Sequence, residues 1–181
     1  MVPTILSGCP WASNSSSPWN GAEWKPELAD EIFAVRQRLE ESRSEQDLKR
    51  GFGGIVDIEF LVQMLQLKHG ATDPSVRHPN TRIAMEKLRA AGYVDGYTHS
   101  FLVENYDYLR RVESRLRIVH NVSRDALPDD SADLEKLARR LGYQASNGRT
   151  ASDSFLDECE RITRQTRQTF LRVLSQERGR A

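Results

Sequence analysis

The sequence predicts an all-α protein, an antiparallel bundle of about six helices. From Pro26 onward apolar residues recur at helical spacing, and no segment alternates in the manner of a strand. The polar connections between these segments are short, which favours antiparallel neighbours. One segment, over about residues 54–69, is apolar on nearly every side and reads as a buried central helix. Residues 1–24 read as an N-terminal arm: they hold Trp11, Trp19 and Trp24 around a Ser-rich tract and show no apolar period. Residues 25–181 read as the bundle.

The first helix runs from about Pro26 to Ser44. Pro26 suits a first-turn position, and Ile32, Val35 and Leu39 share a face. A glycine-rich joint, LKRGFGG at 48–54, leads into the second helix, which Gly70 stops. Asn80 is the expected N-cap of the third helix and Gly92 its stop. The fourth spans about Tyr97 to Asn121, with Leu102, Tyr106, Leu109, Leu116 and His120 as its stripe. Ser131 is the expected cap of a short fifth helix ending at Gly142. The sixth starts at Ser152 or Asp153 and carries Phe155, Cys159, Ile162, Phe170 and Val173 on one face.

Charge and composition narrow the function. Twenty-six basic and 26 acidic side chains cancel, which argues against a protein that coats nucleic acid. No apolar run reaches membrane-spanning length. Cys9 and Cys159 make neither a disulfide framework nor a zinc site, and the four histidines form no close ligand pair. The expectation is a cytoplasmic protein with no nucleic-acid or membrane partner and no metal centre. Arg161, Arg164, Arg167 and Arg172 read as a solvated face of the last helix, and Cys159 as a small core residue.

The informative stretch is KRGFGGIVDIEFLVQMLQL, residues 49–67. On a wheel at about 100° per residue, Glu59, Gln63 and Gln66 share a narrow polar stripe, while Asp57 falls among Phe60, Leu61 and Met64. Carboxylates on such a helix need paired donors. The fourth helix offers Arg110, Arg111, Arg115 and Arg117 around Glu113. A buried polar network of Asp57, Glu59, Arg110, Glu113 and Arg115 is therefore expected, with the two acids of the second helix accepting from the arginines of the fourth. Asp57 and Glu59 point about 160° apart and cannot ligate one metal together.

The joint has two readings. Gly51, Gly53 and Gly54 precede a helix N-terminus, with Lys49 and Arg50 beside them, an arrangement that would suit a phosphate. Glycines so placed also let two segments approach closely. The spacing matches neither common phosphate-binding pattern.

KRGFGGIVDIEFLVQMLQL, then HPNTRIAMEKLRAAG, ENYDYLRRVESRLRIVHN and ALP, resembles the helical domain of the glutamine synthetase adenylyltransferase family, related to the uridylyltransferase of the PII signal protein. The resemblance covers about residues 47–143. It implies ATP and magnesium as cofactors. It also implies a nucleotidyltransferase domain, glutamine synthetase (through a tyrosine) and a PII-type protein as partners. The family's Gly-Ser and Asp-x-Asp catalytic motif is not found in the chain, so the bundle is expected to bind and regulate rather than catalyse. Within the motif, Lys49 to Gly54 is expected to face the catalytic domain and its nucleotide, and Asp57 and Glu59 to fix the bundle. A stand-alone module that binds glutamine synthetase or a PII-type protein is the rival reading, and a purely structural relic the third.

Overall fold

The computed structural model describes residues 24–41, 47–120 and 126–179, the side chains of 118–120 excepted. Among the described residues six α-helices follow one another: α1 (Pro26–Glu41), α2 (Ile55–Gly70), α3 (Thr81–Ala90), α4 (Gly96–His120), α5 (Ser131–Arg140) and α6 (Ala151–Gly179). Among the described residues there is no strand beyond two isolated bridges. No described helix is long and apolar enough to cross a membrane. The arm lies outside the described residues except for Trp24, which packs against the core with the Lys68 ammonium over its ring. The side chain of His120 lies outside them too.

The helix on which the others are built is α2. It touches α1, α3, α4 and α6. Ile55, Ile58, Phe60, Leu61 and Met64 are fully buried around its circumference, as an all-round apolar helix requires. A second cluster lies towards α5, where Val112, Leu116, Leu137, Phe155 and Cys159 pack. The whole stripe anticipated on α6 is buried. Cys159 is a core residue, and burial pushes its thiol up to about 11 while the Tyr108 hydroxyl contacts it.

The helix starts follow local chemistry. Asn80 accepts from the Ile83 amide, as anticipated. For α5 the cap is Asp130 rather than Ser131, because Asp130 reaches the Asp133 amide and leaves Ser131 as the first helical residue. α6 begins at Ala151, one residue early. Thr150 and Asp153 bond each other's amides reciprocally and set the start before Ser152.

Candidate functional site: the glycine joint and its two charge clusters

The joint is a closed turn. Asp47 accepts the amides of Lys49 and Arg50 at 2.9 Å each through its carboxylate, and the amide of Gly51 at 2.7 Å through its carbonyl. The amides of Gly54, Ile55, Val56 and Asp57 bond the carbonyls of Gly51, Leu48, Lys49 and Gly54. Gly53 has φ +64°, and a Cβ there would stand 1.7 Å from the carbonyl oxygen of Thr163 on α6. Glycine is needed at this position for both the left-handed backbone and the close approach. Phe52 projects furthest from the turn, with Lys49 and Arg50 part-exposed beside it. It is 53% exposed, and the Arg167 guanidinium lies 5.0 Å from its ring centre.

Beneath the turn lies the first charge cluster. Asp57 is fully buried and paired with Arg36 of α1, itself 0% exposed. Its second oxygen faces Arg167 Nε at 2.9 Å. Arg36 also donates to the Gly51 carbonyl at 2.6 Å and lies 3.3 Å from Glu40, and Glu40 in turn pairs with Arg167. One acid on α2 thus joins α1, α6 and the glycine turn. Burial lifts the Asp57 carboxyl from its usual range, and the two guanidiniums work against that rise.

The partners of Asp57 correct the sequence expectation. Arg36 and Arg167, not the arginines of α4, reach it. Arg167 is 6% exposed and does not belong to a solvated face, in contrast to Arg161, Arg164 and Arg172, which are exposed. A signal for both existed. Arg36 falls four residues after Ile32 on the buried stripe of α1, and Arg167 three before Phe170 on α6.

The second cluster surrounds Glu113, which is 4% exposed. Arg110 and Arg117 donate to it at 2.7 and 2.9 Å, and Lys49 Nζ lies at 3.5 Å. Lys49 therefore links the joint to α4. Arg115 is exposed and forms no ion pair among the described residues, because its position turns it away from α2. Glu59 is only partly buried and makes no ion pair there. Arg110 and Lys49 act on it from a distance.

Burial pushes the Glu59 carboxyl above its usual range, with Arg110 and Lys49 opposing. A raised folded-state value means that the folded chain holds the proton more tightly than the unfolded one. The contribution of Glu59 to stability is then fully present below about pH 4.3 and is lost as pH rises through the folded value. Glu59→Gln is expected to be more stable than the parent at pH 7, with the difference closing towards pH 4. Denaturant melts at a series of pH values check this, and a parallel pair of curves would contradict it.

The residues do not fit an amide cradle for a nucleotide. The amides at the start of α2 are spent on carbonyls of the turn itself, and Gly51, Gly53 and Gly54 are buried. Among the described residues no group of three or more His, Cys, Asp or Glu side chains is placed to hold a metal ion. What the turn presents outward is side-chain chemistry, from Lys49 and Phe52.

A family model described as GlnD PII-uridylyltransferase matches residues 28–174. The chain is also similar to proteins named bifunctional glutamine synthetase adenylyltransferase/adenylyl-removing enzyme. The relative from Stenotrophomonas maltophilia strain K279a is 39% identical over 110 residues, 61% of this chain and 12% of the relative. That from Streptomyces avermitilis is 37% identical over 131 residues, covering 70% and 13%. That from Rhizobium meliloti strain 1021 is 33% identical over 131 residues, covering 72% and 13%. The matched region thus spans 12–13% of the length of these curated relatives.

Proposed function

Because the chain belongs to the GlnD PII-uridylyltransferase family, we propose that it is the helical domain of a glutamine synthetase adenylyltransferase, docking a nucleotidyltransferase domain and serving regulation rather than chemistry. The observation that carries this reading is the closed turn at 47–54. It is held from below by Arg36 and pressed against α6 at Gly53, yet it offers Phe52 and Lys49 at its surface. A rigid turn with one exposed aromatic is suited to docking, because little ordering is needed on association.

In this reading ATP and magnesium are held by the nucleotidyltransferase domain. The chemistry they supply is adenylyl transfer to, and removal from, a tyrosine of glutamine synthetase. The bundle contributes position. Asp57, Arg36 and Arg167 fix the turn, and the turn fixes the neighbouring domain. Glutamine synthetase and a PII-type protein are the further partners, in a cytoplasmic setting.

The test is co-purification of the chain with the nucleotidyltransferase domain of a glutamine synthetase adenylyltransferase. Phe52→Ala and Lys49→Ala are each expected to weaken capture by about tenfold or more, equivalent to about 1.4 kcal/mol. The chain alone is expected to transfer no adenylyl group to glutamine synthetase. Measurable turnover, or capture indifferent to both substitutions, would contradict the reading.

A further inference from the structure

One face of α4 carries two acids and two arginines in separate halves. Glu104, Asp107, Arg111 and Arg115 are all exposed. At about 100° per residue, Glu104, Arg111 and Arg115 fall within about 40° of one another, with Asp107 about 60° to one side. Among the described residues Glu104, Arg111 and Arg115 make no ion pair or side-chain hydrogen bond. Asp107 meets Arg82 at 3.5 Å. Glu113, which ties α4 to Lys49 and the joint, lies about 180° round the helix from Glu104.

This face is one wall of a groove. Two cavities, of about 700 and 470 Å³, run between α4 and α6 and share Tyr97, Phe101 and Gln165. Tyr97 is 81% exposed, more than any other large apolar side chain among the described residues. The opposite wall is α6, with Glu158, Arg161 and Ile162. Arg161 is held there by Glu158 and Gln165. From Tyr97 to Arg111 the groove follows about 20 Å of helix, room for about four turns of another.

The order of the charges selects the occupant. Acids precede arginines along α4, so a parallel copy would set like against like. An antiparallel copy, turned about a two-fold axis near Leu109, sets Glu104 opposite Arg115 and Asp107 opposite Arg111, and the axis makes each pair twice. The acids are three residues apart and the arginines four, so both pairs meet to within one residue, about 1.5 Å. With zero net charge, two copies approach without overall repulsion.

We propose that this face of α4 binds a second copy of the chain, each α4 lying antiparallel in the α4–α6 groove of the other. A single exposed ion pair contributes little. Here four act together while the arriving helix covers the aromatic lining of the groove. The face is on the far side of α4 from Glu113 and the joint, so this association does not depend on docking of a nucleotidyltransferase domain.

Sedimentation equilibrium of the full chain, from micromolar to millimolar concentration, is expected to show monomers in exchange with dimers. The Kd is expected to rise by about tenfold or more between about 0.1 M and about 1 M salt, as the Debye length falls from about 10 Å to about 3 Å. Glu104→Arg and Arg115→Glu are each expected to raise the Kd by about tenfold or more, because each sets like charges face to face. Mixed in equal amounts, the two variants are expected to dimerise again, since every facing pair is then of opposite sign. Both positions are exposed, and circular dichroism checks that helical content is kept. A chain that stays monomeric at millimolar concentration would overturn the proposal. So would a dimer indifferent to either substitution, or a mixture that fails to restore it.

Discussion

Asp57→Asn is expected to destabilise the chain by about 3–5 kcal/mol, because it strands Arg36 and Arg167 in the interior. For a chain of this size each kcal/mol moves the melting temperature by about 2–4 °C, so a fall of roughly 10 °C follows. Arg110→Gln is the contrasting case. Arg110 is 47% exposed at its side chain, and Glu113 keeps Arg117 and Lys49. Its cost is expected to stay within about 1 kcal/mol. Thermal melts of the two variants side by side distinguish the clusters. Equal losses would contradict the division of the charges into a central network under the turn and a peripheral one on α4.

Gly53→Ala is the second large effect. A methyl group there meets the Thr163 carbonyl, part of the backbone of α6, so no side chain can swing aside. The left-handed φ adds a penalty of about 1–2 kcal/mol on its own. A total of about 3 kcal/mol or more is expected, through separation of the turn from α6. Gly92→Ala isolates the conformational part. Gly92 also has positive φ, at +79°, but nothing lies within 4 Å of its Cβ position. It is expected to lose only the strain. Urea unfolding of both variants gives the difference, and similar losses would show that the contact with α6 contributes nothing.

The sequence made some of this legible and hid the rest for identifiable reasons. Asp57 stands out as a buried acid because the residues around it on the wheel are all apolar. Its mates do not stand out, because a wheel gives the face of a residue and not which neighbouring helix covers that face. Four arginines on α4 formed an evident group, whereas Arg36 shares α1 with only one other arginine, Arg38, and Arg167 sits in a run with exposed arginines. Only packing distinguishes Arg167 from Arg164, since one meets Asp57 and the other an exposed acid on its own helix. The glycine joint was legible as a tight turn before a helix. The fate of its amides was not, because their partners are carbonyls and the Asp47 carboxylate a few residues back, set by loop geometry. The cap of α5 moved by one residue for a similar reason: Asp130 and Ser131 are both capable caps, and the backbone dihedrals decide between them.

The most direct measurement is hydrogen–deuterium exchange across residues 47–57. Spectra would be taken of the chain alone, with ATP and magnesium, and with the nucleotidyltransferase domain of a glutamine synthetase adenylyltransferase. The amides of Gly51, Gly54, Ile55, Val56 and Asp57 are already bonded to carbonyls of the turn and those of Lys49 and Arg50 to the Asp47 carboxylate, so nucleotide alone is expected to change nothing. The added domain is expected to slow exchange across the turn around Phe52. Protection by nucleotide alone, or a turn that exchanges identically with and without the added domain, would contradict the account.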